Sequence, residues 1–209
     1  MADIAAQIAA VQAEMESRPP KLIEHVQRVA KEAAELGVCW DIDPRRLELA
    51  VWGHDLFRHE PPDRQLQLAQ EAGLKVHKHD RVNPVVLHGP TAAAVLRERF
   101  GVRDADALAA VRDHTLGLAA MPLIAKIVLL ADKFEPKKRR RDPEMALIRR
   151  VARRDLDIAL LCWSDWKWEQ ERAHGWTSHP QHWKARTEWV REHHFDIDPA
   201  DQRPTCSGP

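Results

Sequence analysis

The sequence predicts an all-α protein. Apolar residues recur at spacings of three and four along most of the chain, and no stretch alternates apolar and polar residues as a strand does. Helix starts are marked by an Asp or Asn directly before a Pro, because the first side chain accepts from free N–H groups and Pro lacks one. These pairs are Asp43-Pro44, Asn83-Pro84 and Asp142-Pro143, with Ser178-His179-Pro180 as a weaker version.

These starts divide the chain into successive helices. Three glycines mark expected helix ends: Gly37, Gly73 and Gly101. We expect helices at about residues 2–16, 21–36, 44–57, 62–72, 84–100, 104–115, 122–134, 143–172 and 180–194. Residues 74–82, LKVHKHDRV, lack a helical pattern and are predicted to be an irregular connection. The 209 residues then form one helical domain over 21–195, preceded by a helical extension over 1–20 and followed by a polar, disordered tail over 196–209.

Composition and charge exclude several classes of protein. Lys and Arg number 32, as do Asp and Glu, so no net charge favours nucleic acid or an anionic membrane. No apolar run approaches the roughly 20 residues of a membrane span. The first residues, MADIAAQIAAVQAEMES, carry acids and no basic segment, unlike a signal peptide. With three cysteines that form no CxxC pair, the sequence predicts a cytoplasmic protein with reduced thiols and with neither a nucleic-acid nor a membrane partner.

Tryptophan is concentrated near the C-terminus, where the last third of the chain holds six of eight. They are Trp163, Trp166, Trp168, Trp176, Trp183 and Trp189. Packing between the last two helices is the favoured role, and base stacking is the alternative. The same helices offer a surface through which two copies could form a homodimer.

Polar residues interrupt the apolar faces of five predicted helices. They are His25, His54, Asp55, His88, His114 and Asp132. A single histidine on an apolar face is more often a hydrogen-bonded core residue than a ligand, but six such groups must compensate one another. A cation does this better than hydrogen bonds alone. Imidazole and carboxylate suit iron, manganese or zinc, and the absence of thiolate argues against a structural zinc site.

The order of these residues, one His-Asp doublet with flanking histidines and a late aspartate, resembles the HD-domain metal-dependent phosphohydrolases. The strings HDLFRHEPP, NPVVLHGPTAA and HTLGLAAMPLIAKIVLLADKFEP are similar to the YqeK-type branch, the symmetrical bis(5′-nucleosyl)-tetraphosphatases with a di-iron centre. The resemblance covers residues 21–195 and implies an HD-domain helical bundle with additional C-terminal helices.

The resemblance also implies a ligand set and a mechanism. One metal ion is expected on His25, His54, Asp55 and Asp132, and the other on Asp55, His88 and His114, with Asp55 as the bridge. Iron is the expected metal and manganese the alternative. Two ions about 3.5–4 Å apart activate a hydroxide and polarise a phosphoryl group, so no protein nucleophile is needed. The residues expected to act in catalysis are Asp55, Arg58, His88 and His114.

The implied substrate is a nucleotide polyphosphate, most specifically diadenosine tetraphosphate cleaved to two ADP. The residues expected to bind it are Arg28, Arg58, His59, Thr115, Gly117 and Arg139. Arg58 stands where similar proteins usually carry Lys, which keeps the charge but changes the geometry to a planar fork. Arg139 belongs to the basic run 137–141, whose ordinary role is a solvated face.

Other functions remain open at this point. No GxxxxGK[ST] or GxGxxG loop is present, so the chain is not a P-loop or Rossmann nucleotide binder. An HD phosphohydrolase acting on (p)ppGpp, dNTP or a 5′-nucleotide is one alternative. A di-iron oxygenase, or a nucleotide-binding module without turnover, is another.

Overall fold

The prediction of an all-α fold is confirmed. The computed structural model describes residues 3–196, with side chains up to His193, and this part of the chain is helical with no strand. The helices are α1 (Ile4–Glu16), α2 (Pro20–Cys39), α3 (Pro44–His54), α4 (Pro62–Glu71), α5 (Lys78–Val82), α6 (His88–Arg99), α7 (Ala105–Asp113), α8 (Leu123–Phe134), α9 (Pro136–Arg141), α10 (Glu144–Ala152), α11 (Leu156–Ala173) and α12 (Pro180–Asp196). Within these residues no helix combines the length and the apolar character that crossing a membrane requires. Of the predicted tail 196–209, all but Asp196 lies outside the described residues.

The helix predicted over 143–172 is wrong, because Asp155 divides it. Asp155 has an extended backbone, and its carboxylate accepts hydrogen bonds from the N–H groups of Asp157 and Ile158 at 2.9 Å. This is an N-cap inside the predicted helix, so α10 ends at Ala152 and α11 begins at Leu156.

Other boundaries also differ from prediction. The connection at 74–82, predicted to be irregular, contains the short helix α5, and the backbone N–H of His77 donates to the Asp80 carboxylate at 2.7 Å at its start. The helix predicted over 84–100 begins as a 3-10 turn over Pro84–Leu87 and becomes α-helical at His88.

The predicted glycine stops divide into two kinds. Gly73 and Gly101 have positive φ and do end their helices, as predicted. Gly37 does not: α2 continues through it to Cys39. A Cβ on Gly37 would lie 2.7 Å from Leu47, so this glycine permits close packing of α2 and α3.

Helix α8 forms the centre of the bundle. It packs against α2, α3, α7, α10 and α11. Its apolar residues Ile127, Leu129 and Phe134 are fully buried. Burying a side chain of this kind contributes about 1.5–3 kcal/mol, so the apolar content of α8 fixes its position. Asp132, on the same helix, is therefore held inside the molecule.

The C-terminal tryptophans differ in burial. Trp163 and Trp189 are buried in the main core, in agreement with the packing role that the sequence favours. Trp176 and Trp183 are 64% and 46% exposed. Trp166 is partly buried and packs against the same core, so tryptophans join α11 and α12 to the bundle together with apolar residues such as Leu160 and Ala185.

Candidate metal centre

Helix ends bring most of the inward polar residues together. His54 is the last residue of α3, His88 is the first residue of α6, and His114 directly follows α7. Asp55 caps the C-terminus of α3 rather than continuing the helix, since its φ of −110° and ψ of 17° are no longer helical. The chain turns at each point, so residues from separate helices meet at one place.

Three of the histidines share one local geometry. The Nδ1 atoms of His54 and His114 lie 2.6 and 2.8 Å from the carbonyl oxygens of Val51 and Val111, three residues earlier. His88 makes the same contact with Val85. A carbonyl oxygen only accepts, so each Nδ1 carries the proton and donates it. The Nε2 lone pair of each neutral ring is therefore presented to the centre, the state in which imidazole binds a metal.

The Asp55 carboxylate lies between four imidazoles. Its Oδ2 is 3.4 Å from His25 Nε2 and 3.6 Å from His54 Nε2. Its Oδ1 is 3.1 Å from His88 Nε2 and 3.4 Å from His114 Nε2. The two oxygens thus face two separate pairs of histidines. These residues form two groups with ligand spacing, one of His25, His54 and Asp55 and one of Asp55, His88 and His114.

The donor atoms fit a cation better than they fit one another. His88 Nε2 and His114 Nε2 are 2.9 Å apart although both rings already donate through Nδ1, so two lone pairs oppose each other. The Thr115 hydroxyl lies 3.4 Å from His88 Nε2 and 3.1 Å from His114 Nε2 and can donate to only one of them. His54 Nε2 is buried without a hydrogen-bond partner. Leaving such groups unpaired costs about 1–3 kcal/mol each, and a bound cation removes the cost.

The charges of the centre are set by burial and by the neighbouring groups. Burial alone would raise the pKa of Asp55, but the four surrounding imidazoles, His54 first, outweigh it and hold the pKa well below its ordinary value. Burial lowers the pKa of His114 to about 3, so this ring is neutral. His25 is the exception: burial would lower its pKa, but Asp132 and Asp55 raise it to about 9.

Asp132 adjoins the first group without belonging to it. Its Oδ1 is 3.0 Å from His25 Nε2 and 2.5 Å from Lys138 Nζ, and its Oδ2 is 2.5 Å from Lys133 Nζ. Both oxygens are therefore occupied by cationic side chains. A ligand role for Asp132 stays a prediction, and it requires Lys138 to move.

A pocket of about 480 Å³ opens above the centre. Besides His25, Asp55, His88, His114 and Asp132, its polar lining is Lys21, Arg58, His59, Thr115, Lys133 and Lys138. Of the residues expected to bind substrate, Arg58, His59 and Thr115 line this pocket, and their role in binding stays a prediction. The basic lining gives the pocket the charge that a polyphosphate requires.

Three expected substrate residues lie elsewhere. Arg28 Nε donates to Glu135 at 2.7 Å, and Arg139 donates to Glu32 at 2.8 Å, so each of these arginines is held by a buried carboxylate. Gly117 faces the C-terminal helices: a Cβ at this position would lie 2.6 Å from the Trp189 ring. None of these three residues is part of the pocket lining, and a role for them in substrate binding stays a prediction.

Sequence reasoning missed the three lysines in the pocket. Lys133 directly follows Asp132 in the ADKFEP string, and its place beside an inward aspartate was a usable signal. Lys138 is one position before Arg139 in the basic run, where the sequence does not show which member turns inward. No signal in the sequence distinguishes Lys21 from other residues near the start of α2.

The chain is similar to several known proteins. The family model for the HD domain matches residues 22–137. The symmetrical bis(5′-nucleosyl)-tetraphosphatase of Bacillus subtilis is 32% identical over 137 residues, 66% of this chain and 72% of that protein. The protein of the same name from Staphylococcus aureus is 31% identical, over 58% of this chain and 62% of its own.

A solved structure gives the same relationship. The crystal structure of a predicted HD superfamily hydrolase involved in NAD metabolism, from Clostridium acetobutylicum, matches with a TM-score of 0.80 and 25% identity, covering 87% of this chain and 95% of that one. The family match, the shared fold and the histidine–aspartate centre agree, and the chain belongs to the HD-domain family of hydrolases.

Proposed function

We propose that the protein hydrolyses diadenosine tetraphosphate symmetrically to two ADP at a two-metal centre. The single observation that carries the proposal is the position of Asp55, whose two oxygens face two separate pairs of histidines below a basic pocket. The relatives named symmetrical bis(5′-nucleosyl)-tetraphosphatase support the choice of substrate.

Two groups of side chains would hold the metal ions. His25 and His54 would bind one ion with Asp55 Oδ2, and His88 and His114 would bind the other with Asp55 Oδ1. Asp132 would complete the first set after release from Lys138. When bound, such ions supply an activated hydroxide and polarise the phosphoryl oxygens. Imidazole and carboxylate donors support iron, with manganese as the alternative.

The residues of the pocket would bind and orient the polyphosphate. Arg58 can contact two phosphate oxygens through its planar guanidinium, whereas Lys133 and Lys138 supply point charges. The Thr115 hydroxyl, next to His114, can donate to a phosphate oxygen at the reacting centre. His59 adds a further donor at the edge. These groups would stabilise the negative charge that the leaving ADP acquires.

The test is a product analysis with defined metals. The purified protein, loaded with Fe(II) or with Mn(II), is incubated with diadenosine tetraphosphate, and the nucleotides are separated. We expect ADP as the product, whereas ATP plus AMP would show asymmetric cleavage. Cleavage of (p)ppGpp, a dNTP or a 5′-nucleotide, with diadenosine tetraphosphate left intact, would refute the substrate assignment. Uptake of oxygen by the reduced protein would instead favour an oxygenase.

Arg58 provides a matched pair of variants. Arg58→Lys keeps the charge and introduces the residue usual in similar proteins, so we expect activity within a few-fold of the original. Arg58→Gln removes the charge, and we expect kcat/KM to fall about a hundredfold. Activity of Arg58→Gln equal to that of the unmodified protein would show that Arg58 does not contact the phosphates. The cytoplasmic location and the homodimer stay predictions.

A further inference from the structure

The C-terminal helix pair, α11 and α12, lies outside the part of the chain that matches the HD family model. It nevertheless contacts the pocket wall. Trp163 of α11 is 2% exposed, and the Lys133 ammonium lies 5.6 Å from the centre of its ring. Lys133 also donates to Asp132 at 2.5 Å. The ammonium thus contacts both an indole face and a carboxylate.

The indole of Trp163 is itself fixed by α12. The His182 ring meets it edge-on, with ring centres 5.2 Å apart and planes at 68°. His182 Nδ1 in turn donates to the carbonyl oxygen of Leu116 at 2.9 Å. Trp163 therefore cannot rotate without breaking a buried contact, and a lysine that packs on it has a defined position.

The same helix also holds the loop that follows Thr115. Gln181 Nε2 donates to the carbonyl of Gly117 at 2.9 Å, and Trp189 Nε1 donates to the carbonyl of Ala119 at 3.1 Å. With the bond from His182, three side chains of α12 bind consecutive parts of this loop. The loop begins next to Thr115, so α12 fixes a second wall of the pocket.

We infer that the C-terminal helix pair positions the polyphosphate-binding groups, with Trp163 as the positioning residue for Lys133. A lysine side chain has four flexible carbons and no preferred direction for its charge, so a phosphate site that uses one needs a support. The aromatic face supplies it through cation–π attraction and leaves one side of the ammonium free for the ligand. The inference rests on the proposed function only in taking the ligand to be a polyphosphate.

The test is a double-mutant cycle on ligand binding. The variants are Trp163→Leu, Lys133→Gln and the double variant, each loaded with Mn(II), and the probe is inorganic tripolyphosphate titrated by calorimetry. We expect each single variant to weaken binding about tenfold, and the double variant to bind no more weakly than Lys133→Gln alone, because residues that act through one another are not additive. Trp166→Leu, a partly buried position on the same helix, is the matched control and should leave the Kd unchanged.

The double-mutant cycle distinguishes a positioning role of Trp163 from a purely structural one. If Trp163 only supports the fold, the losses in the double variant multiply, or Tm falls while Kd stays constant, and the inference is overturned. Should Trp163→Leu not fold, Trp163→Met fills more of the volume while still removing the ring face, and it enters the same cycle.

Tripolyphosphate makes the cycle independent of which nucleotide is cleaved. A failure to hydrolyse diadenosine tetraphosphate refutes the proposed function, but the tripolyphosphate affinities of the variants can still be compared. Absence of tripolyphosphate binding in the unmodified protein overturns the positioning role itself.

Discussion

His54 and His182 are two buried imidazoles with the same local geometry and different surroundings. Each ring places Nδ1 within hydrogen-bond distance of a backbone carbonyl, and each has a buried Nε2 without a partner. Burial lowers the pKa of both. His54 Nε2 faces the Asp55 carboxylate at 3.6 Å, whereas His182 lies against Trp163 and Trp189.

This difference shows what makes a buried histidine a candidate ligand. An unpartnered imidazole nitrogen is common to both regions, so it does not by itself identify a cation site. The carboxylate does, because it supplies the negative charge that offsets a metal ion and brings further imidazoles with it. Among the residues that the structure describes, no carboxylate lies within ion-pair distance of the His182 ring, and the role of this ring is packing.

Removing the Asp55 carboxylate should make the His54 region resemble the His182 region. We expect the largest loss of activity from this change. For Asp55→Ala we expect metal binding to be lost from both groups and hydrolysis to fall on the order of a thousandfold or more, because these residues act as a unit. Elemental analysis and ADP release measure the two effects together. The control is Asp80→Ala, which removes another buried carboxylate, bonded to His179 at 3.0 Å, away from the centre. Full activity of Asp55→Ala would refute the two-metal mechanism.

Changing the two histidines in the same way compares the regions directly. His54→Gln should weaken metal binding by at least about a hundredfold, beyond the cost of losing a supporting group around a metal. His182→Gln should retain the metal, since the His182 ring packs against Trp163 and Trp189 rather than against Asp55. Metal titrations of the two variants under identical conditions give the comparison. Equal losses would mean that the distinction between the regions is false.

The pH dependence of folding stability should test the His182 region separately from the metal centre. Burial lowers the pKa of His182 to about 4, against an ordinary value of 6.5, and Lys167 on α11 and Lys133 on α8 lower it further while Glu171 opposes this. Between pH 6.5 and 4 the unfolded chain therefore binds a proton that the folded chain does not, so stability falls as the pH falls. The loss amounts to about 3 kcal/mol at most.

The measurement is chemical denaturation of the unmodified protein and of His182→Gln from pH 7 to pH 4. Titration of the metal-centre histidines is common to both and cancels in the difference. We expect the unmodified protein to lose more stability on acidification. Parallel curves would contradict a depressed pKa at His182.

A substitution at Gly117 tests how tightly the loop after Thr115 packs against α12, and we expect a smaller effect from it. Gly117 has a φ of +72°, and a Cβ there would lie 2.6 Å from Trp189. Gly73 has nearly the same φ, +71°, with nothing within 4 Å. Gly73→Ala should cost about 1–2 kcal/mol through backbone strain alone, and Gly117→Ala should cost more because the Trp189 ring must shift. Melting temperatures measure both, and equal shifts would show that Trp189 moves freely.

Much of the fold and of the centre could be predicted from the sequence. Helical periodicity is a local property, so the all-α class and most helix positions follow from it. The inward polar residues, including His88 and His114, stood out for the same reason. The division at Asp155 was missed because the apolar pattern continues on both sides of a cap that acts over only three residues.

The substrate residues were harder to predict. Arg28 and Arg139 had the right charge and lie near the ligands in sequence, yet each pairs with a glutamate 107 residues away. Lys138 turns to the pocket while its neighbour Arg139 turns to Glu32. Neighbouring basic residues look alike in a sequence, and the partner that distinguishes them is brought near only by folding.

The sequence by itself determined the all-α class, most helix positions, and the candidate donor residues and their order, because periodicity and residue type are sufficient for each. The tertiary structure decided which oxygen of Asp55 faces which pair of histidines, which cations line the pocket, and that Trp163 supports Lys133. These depend on distances between the ends of different helices, and packing of the apolar core around α8 sets those distances.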